Sequence, residues 1–223
     1  MSSGRCSAGR TSSDCASDKS RMEINNPSGD RAQPWFVTNG LLVIEMVTGR
    51  LQTGDSSFEQ RGQSDEALGG DPRAINDVSP GYGALNGVLA RQPDRTGQAI
   101  TTQLKRDGST SGIDAPASAA YASYVDQTGH NIPGVFWNFM NQSGTVYESG
   151  RFVNGKVMDW VFAFGYPVTD AYWIRAKLGG SETWMLVQAF ERRILTYTPS
   201  NSAAFQVEMG NVGQHYRRWR YGQ

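Results

Sequence analysis

The clearest pattern of apolar and polar positions lies in the last third of the chain. Apolar and polar residues alternate over 172–178, and a second alternating run covers 184–190 after Gly179-Gly180. Such alternation is typical of strands with one buried face, and glycine tolerates the positive φ of a tight turn. A third apolar run follows, and a proline ends it. The pattern predicts a three-stranded antiparallel meander over 172–198.

Helices are predicted where apolar residues follow helical spacing. Such segments begin at Trp35, Val135 and Phe205, and a short one begins at Tyr82. Between the segments at Val135 and Phe205, Asn154-Gly155 is a typical hairpin turn between two extended runs. Together with the meander, these elements predict an α+β protein of short antiparallel meanders and hairpins with intervening helices.

Two segments of the chain show the same order of features. Residues 18–42 and 191–212 each contain a charged strand, a proline turn and an aromatic residue that leads into a helix. The first copy lacks a preceding hairpin, so we expect a repeat-like architecture in which the N-terminal copy is incomplete. The predicted units are a partial repeat (strand, turn, helix) at 18–49, a loop-rich connector with a hairpin at 50–128 and a full repeat module at 129–223.

The first residues differ from the rest in composition. Residues 1–17 are rich in Ser, Gly and Arg, and we expect them to form a disordered tail. A secretory signal needs an apolar core of ~7–15 residues, and this segment has none, so we expect a truncated upstream region. The chain's two cysteines, Cys6 and Cys15, lie here, and a disulfide between them would close a short loop and stabilise little.

Charge and hydropathy exclude two function classes. Lys plus Arg and Asp plus Glu number 21 each, so no global charge favours nucleic acid or an acidic membrane surface. No apolar run approaches the ~18 residues of a membrane span. The basic and aromatic residues at 217–221 are equally typical of a helix end, where the helix dipole stabilises cations. We therefore expect no nucleic-acid partner and no membrane span.

Residues 130–213 carry a family resemblance. They contain an aromatic helix, a Phe-Gly-Tyr-Pro corner at 164–167, a Gln-x-Phe-Glu-Arg strand at 188–192 and a Gly-rich final segment. This order resembles a repeat unit of secreted proteins from environmental bacteria, and residues 18–47 resemble its second half. The corner is also distantly similar to LGFP repeats of cell-wall-associated bacterial proteins. The resemblance implies an extracellular or cell-envelope protein and no catalytic residue.

Aromatic side chains of the C-terminal half are the candidate ligand-binding residues. Trp173 and Trp184 flank the same predicted hairpin turn and form the leading pair. Exposed aromatic rings bind the apolar faces of sugars, and exposed apolar patches mark interaction sites. Packing in the core is the alternative for each ring. The candidate binding residues are Trp160, Tyr166, Tyr172, Trp173 and Trp184.

Acidic residues provide the alternative chemistry. A glycosidase needs two carboxyl groups ~5–5.5 Å apart for retention or ~6.5–9.5 Å apart for inversion. Glu148 and Asp159, each next to an aromatic residue, are the candidate catalytic pair, with ordinary surface ion pairs as the alternative. The two histidines, His130 and His215, are too few for a typical zinc site with three protein ligands. We expect no metal and no cofactor.

These observations predict a non-catalytic binding module, extracellular or at the cell envelope, with polysaccharide or peptidoglycan as its ligand. The first alternative is a glycan hydrolase that uses the carboxylate pair. The second is a structural fragment of a longer secreted protein. An exposed aromatic strip would favour the binding module. Two opposed carboxylates would favour the hydrolase, and a fully buried set of aromatic residues would favour the structural fragment.

Overall fold

The computed structural model describes residues 5–8, 13–16, 19–24, 26–33, 35–53 and 57–222, with the backbone alone described at 5–8 and 13–16. This part of the chain has the predicted α+β class, with many short antiparallel hairpins and one larger mixed sheet. None of its helices has the length and apolar character needed to cross a bilayer.

The helices are α1 (Leu42–Thr48), α2 (Gly134–Met140), α3 (Trp160–Phe164) and α4 (Val212–Tyr221), with 3-10 helices at Tyr82–Val88 and Ala203–Phe205. The strands are β1 (Arg5–Ala8), β2 (Ser13–Ala16), β3 (Arg21–Glu23), β4 (Thr38–Asn39), β5 (Arg50–Gln52), β6 (Phe58–Gln60), β7 (Thr102–Leu104), β8 (Thr110–Gly112), β9 (Tyr121–Val125), β10 (His130–Pro133), β11 (Ser143–Glu148), β12 (Arg151–Lys156), β13 (Tyr172–Leu178), β14 (Ser181–Ala189), β15 (Ile194–Tyr197) and β16 (Val207–Met209).

A six-stranded sheet forms the centre of the fold, in the order β16-β15-β14-β13-β7-β8. Neighbouring strands are antiparallel except β13 and β7, which are parallel. The predicted meander is confirmed as β13, β14 and β15. Gly179 and Gly180 connect the first two of these strands with φ of 60° and 80°. Side chains rarely adopt such φ values, so the two glycines allow a two-residue turn.

Hydrophobic side chains cover both faces of the central sheet. On one face, α1, α4 and the 3-10 helix Tyr82–Val88 pack against Ile174 and Met185. On the other face, α2 and the β9–β10 hairpin pack against Trp173 and Leu186. The alternating pattern predicted one buried face, whereas the middle strands are buried on both, because separate parts of the chain cover each side.

The hairpin of β11 and β12 is a two-stranded sheet of its own. It turns at Ser149 and Gly150, with φ of 50° and 83°, so the prediction of a turn at Asn154-Gly155 is wrong. Complementary side chains face each other in the observed register, and such cross-strand pairs stabilise a hairpin. They are Val146 with Val153, Tyr147 with Phe152 and Glu148 with Arg151.

Two helices begin later than their patterns predict. The first begins at Leu42 rather than Trp35, because the preceding residues pair with β3 as β4. The last begins at Val212 rather than Phe205, because the preceding residues pair with β15 as β16. The helix predicted from Val135 is confirmed as α2. In both differences, pairing with the preceding strand outweighs local helical spacing.

The two segments with the same order of features share one backbone arrangement. In the first, β3 pairs with β4, and the Gly40 N–H donates to the Arg21 carbonyl before α1 begins. In the second, β15 pairs with β16, and the Gly210 N–H donates to the Ile194 carbonyl before α4 begins. The residues that precede the two helices have nearly equal φ and ψ, −81° and 50° against −81° and 52°. A common origin as repeats stays a prediction.

In the N-terminal segment 1–17, the structure describes two short strands. β1 and β2 pair with each other, and their register places Cys6 opposite Cys15. β2 also pairs with β3. A free strand edge presents unpaired N–H and C=O groups. β2 pairs with the backbone groups on one edge of β3, so that edge is not free. The other residues of 1–17 lie outside the described ranges.

Candidate functional site

Two of the five candidate rings belong to the core. Trp173 is fully buried, at 0% exposed, and its indole Nε1–H donates to the Ile100 carbonyl oxygen over 2.8 Å. Tyr172 is 7% exposed and packs into the core on the opposite face of the sheet. The expectation that these two rings lie at the surface is wrong, because β13 is covered on both faces. Neither offers a ring face to a ligand.

Trp184 lies partly buried at the edge of the core that contains Trp173. It stands opposite Arg175 on β13, whose guanidinium carbon is 5.0 Å from the indole centroid. Glu182 accepts a hydrogen bond from the same guanidinium over 2.7 Å and fixes its position. One ring face of Trp184 is therefore occupied by a cation–π contact. The predicted pair of Trp173 and Trp184 does not form a joint binding surface.

The other two candidates, Trp160 and Tyr166, form an aromatic row with Trp137. The ring centroids of Trp137 and Trp160 are 6.0 Å apart, and those of Trp160 and Tyr166 are 6.1 Å apart, both edge-to-face. The rings come from α2, from the first residue of α3 and from the Gly-Tyr-Pro corner. All three are partly exposed while packing against the core that contains Trp173.

Hydrogen bonds fix α3, which carries Trp160, and the corner that carries Tyr166. Asp159 is the N-cap of α3, and its Oδ1 accepts the Phe162 N–H over 3.1 Å. Arg192 Nη1 donates to two carbonyl oxygens of α3, each over 2.8 Å. Glu191 Oε2 accepts the Tyr166 N–H over 3.1 Å. The rings are thus held in place before any ligand arrives, which lowers the entropy cost of binding.

The corner before Tyr166 requires glycine. Gly165 has a φ of 73°, and a Cβ at this position would lie 2.4 Å from Glu191 Oε2. That carboxylate is the one that accepts the Tyr166 N–H. A larger residue at Gly165 would displace it and release the corner, so the Gly-Tyr-Pro motif has a positioning role.

A shallow depression of about 370 Å³ lies beside Trp160. Lys156, Met158 and Asp159 complete its lining. The Lys156 ammonium group donates to Asn141 Oδ1 over 3.2 Å. The depression therefore combines an aromatic ring, an apolar thioether, a carboxylate and an ammonium group.

One face of the β11–β12 hairpin continues from this depression. Side chains alternate between the faces of a strand, so Lys156 shares a face with Phe152 and, through the register, with Tyr147. Phe152 and Tyr147 are 75% and 68% exposed, and their ring centroids are 5.1 Å apart. We call this face the outer face; it consists of Ser143, Thr145, Tyr147, Phe152, Asn154 and Lys156.

The two candidate catalytic carboxylates lie at opposite ends of the same hairpin. Glu148 stands beside the turn, opposite Arg151, whereas Asp159 follows the far end of β12 at Lys156. At ~3.3 Å per residue, the strand between these ends is about 16 Å long. A glycosidase pair is closer than ~10 Å. Glu148 and Asp159 do not form such a pair, and Asp159 already caps α3.

The two histidines have separate surroundings. His130 is 2% exposed, with Nδ1 3.5 Å from Asp170 Oδ1. His215 Nδ1 is 2.9 Å from the Tyr82 hydroxyl oxygen. Across the described ranges, no three His, Cys, Asp or Glu side chains are grouped as a metal ion would require.

Sequence reasoning missed the contribution of the hairpin to this surface. Phe152, Lys156 and Met158 were not candidates, because the turn was placed at the wrong residues. A turn at Ser149-Gly150 would have put Tyr147, Phe152 and Lys156 on one face by alternation alone. The signal was the row of complementary cross-strand pairs on either side of that turn.

Comparison of the chain with family models, with curated proteins and with solved structures finds no match. The resemblance to secreted repeat proteins therefore stays a prediction.

Proposed function

We propose that this chain is a non-catalytic binding module for a polysaccharide or for the glycan of peptidoglycan. The ligand lies along the outer face and the depression, with the aromatic row at one end. The observation that carries the proposal is the link through Lys156 between the Trp160 depression and the exposed pair Tyr147 and Phe152. The extracellular or envelope location of the module rests on the resemblance in sequence.

The chemistry of the surface suits a sugar chain. Aromatic rings offer apolar faces to the C–H faces of a sugar ring, while polar groups beside them bind its hydroxyls. Thr145 and Asn154 face each other between the aromatic pair and Lys156, and supply a hydroxyl and an amide. Asp159 and Lys156 add a carboxylate and an ammonium group of opposite charge. This balance favours a neutral glycan over a strongly charged one.

The exposure of Tyr147 and Phe152 is the second support. Both rings leave most of their surface in water, at 68% and 75% exposed. Neither belongs to the two hydrophobic cores of the described structure. Large apolar groups that stay exposed side by side are typical of an interaction site, since their burial against a ligand is favourable.

The test is co-sedimentation of the full chain with insoluble polysaccharides and with peptidoglycan, with released reducing ends measured in the same tubes. We expect retention without release. Trp160→Ala and the double variant Tyr147→Ser with Phe152→Ser should each weaken retention by about tenfold or more, as loss of a central aromatic contact does.

Trp184→Ala is the matched control, because it removes an indole whose face Arg175 already covers. Phe58→Ser, on β6, controls for the loss of an exposed aromatic ring elsewhere. Equal losses in the controls and in the outer-face variants would contradict the proposed surface. Release of sugar ends would contradict a non-catalytic module, and no retention on any glycan would favour the structural fragment.

A further inference from the structure

A second concave site lies on the other side of the central sheet from the aromatic row. This His215 cavity has a volume of about 250 Å³ and is bordered by the sheet, the Gly69–Gly70 loop and the start of α4. The residues that matter for its chemistry are Lys19, Leu178, Glu208, Asn211 and His215, and the buried residues Leu68 and Met185 also border it. Met185 and Leu68 belong to the core opposite the one on which the aromatic row packs.

Tyr82 determines which nitrogen of His215 carries the proton. The Tyr82 hydroxyl lies 2.9 Å from His215 Nδ1, and among the described residues this nitrogen is the hydroxyl's only hydrogen-bond partner. Tyr82 is fully buried, and a buried hydroxyl needs an acceptor for its proton. Tyr82 therefore donates to Nδ1, and the neutral ring carries its proton on Nε2. With Nδ1 turned to Tyr82, the Nε2–H is the donor that His215 presents to the cavity.

The ring stays neutral at neutral pH. Burial, and after it the positive charges of Arg218 and Lys19, lower the pKa of His215 to about 4, while the charge of Glu66 acts in the opposite direction. The cavity thus contains a fixed N–H donor rather than a second cation.

Lys19 supplies positive charge next to the start of α4. Its Nζ donates to the Met209 carbonyl oxygen over 2.7 Å and to Asn211 Oδ1 over 2.6 Å. Asn211 precedes α4 and makes no side-chain cap for it. The first N–H groups of a helix favour a negative group nearby. Lys19, the helix start and the His215 Nε2–H therefore favour a carboxylate at this end of the cavity.

The remaining lining has different chemistry. Glu208 contributes an exposed carboxylate, which repels a simple anion and attracts an ammonium group. Leu178 is 40% exposed and contributes the accessible apolar surface. A ligand with one negative group, one positive group and a small apolar group satisfies all three parts of the lining.

We propose that the His215 cavity binds a free α-amino acid with a small apolar side chain. The carboxylate lies between Lys19 and the His215 Nε2–H, the ammonium group faces Glu208, and the side chain packs on Leu178. The site is independent of the glycan surface, so either proposal can fail without the other.

The experiment uses the full chain with ¹³C-labelled histidine and follows the His215 Cε1–H resonance by NMR, assigned with His215→Gln. Alanine, valine and leucine are titrated in turn, and the best of them is compared with its amide and with the acid that lacks the amino group. We expect a saturable shift for at least one amino acid, and binding weaker by about tenfold or more for both analogues, since each loses a charge-assisted contact. Lys19→Met should weaken binding of the amino acid to a similar degree.

Glu208→Gln keeps the test open if Lys19→Met fails to fold, because Glu208 is exposed. The Glu208→Gln variant should bind the amino acid no more tightly than it binds the analogue that lacks the amino group. Lys105→Met, at an exposed lysine outside the cavity, is the matched control and should bind as the wild type does. The proposal is overturned if none of the three amino acids shifts the His215 resonance at millimolar concentration. It is also overturned if the amide binds as tightly as the amino acid itself.

Discussion

Two hairpins lie close together in this chain and are built in similar ways. The β11–β12 hairpin turns at Ser149-Gly150 and the β13–β14 hairpin at Gly179-Gly180, and both turns have positive φ at both central residues. Each hairpin carries aromatic side chains, Tyr147 and Phe152 in the first and Tyr172, Trp173 and Trp184 in the second. Away from its turn, the second is buried on both faces, whereas the first exposes its outer face with Tyr147 and Phe152.

The difference comes from what covers each hairpin. Helices and loops from distant parts of the chain pack on both faces of β13 and β14, and they convert Trp173 into a core residue. Within the described ranges, the β11–β12 hairpin pairs with no further strand, and its rings stay exposed to water. An aromatic residue on a strand therefore indicates a binding role only when no other element covers it.

The largest difference between the two hairpins should appear on truncation of their aromatic residues. Trp173→Ala removes a fully buried indole and leaves the Ile100 carbonyl without its donor, so we expect a loss of about 3–5 kcal/mol in the free energy of unfolding. Phe152→Ala removes a ring that is 75% exposed and should change that free energy by less than ~0.5 kcal/mol. Urea denaturation of both variants measures the two values. Similar losses would show that the outer face is packed rather than free.

Acidic residues should show the same contrast with a somewhat smaller effect. Asp170, just before β13, is fully buried and accepts bonds from Arg95 Nη2 at 2.6 Å and from the Asn131 N–H at 2.8 Å. Asp170→Ala should lower the free energy of unfolding by about 3 kcal/mol, because both donors lose their acceptor. Glu148→Ala, at the exposed hairpin end, should change it by less than ~0.5 kcal/mol. If Asp170→Ala left the free energy of unfolding nearly unchanged, the buried Asp170 would not have the stabilising role that its hydrogen bonds indicate.

The sequence predicts the local geometry of the β13–β14 hairpin better than its surroundings. The alternation over 172–190 and the Gly179-Gly180 turn were sufficient to predict β13 and β14. What covers them was not predictable, because α1 and α2 are far away in the chain and contact the sheet only in the folded state. The site shows the same limit. Trp160 and Tyr166 were predicted, but the contribution of Phe152 depended on a register that the Asn154-Gly155 signal obscured.

The smallest effect should come from the turns. Ser149 has a φ of 50°, which serine adopts less readily than asparagine, so Ser149→Asn should stabilise the exposed hairpin by roughly 0.5 kcal/mol. Gly179→Ala, at a φ of 60°, should destabilise the buried hairpin by about 1 kcal/mol. Amide hydrogen exchange within each hairpin reports the two changes. Faster exchange in the Ser149→Asn hairpin would contradict the assigned turn.

The most direct test of the binding surface uses the indole N–H resonances of the protein's 6 tryptophans. Soluble cello- and chito-oligosaccharides are titrated into ¹⁵N-labelled protein, and single Trp→Phe variants assign the peaks. We expect saturable shifts of the Trp160 and Trp137 indole resonances and no shift of the Trp173 and Trp184 resonances. Shifts confined to Trp184, or no shift at Trp160 with a glycan that retains the protein, would contradict the proposed binding surface.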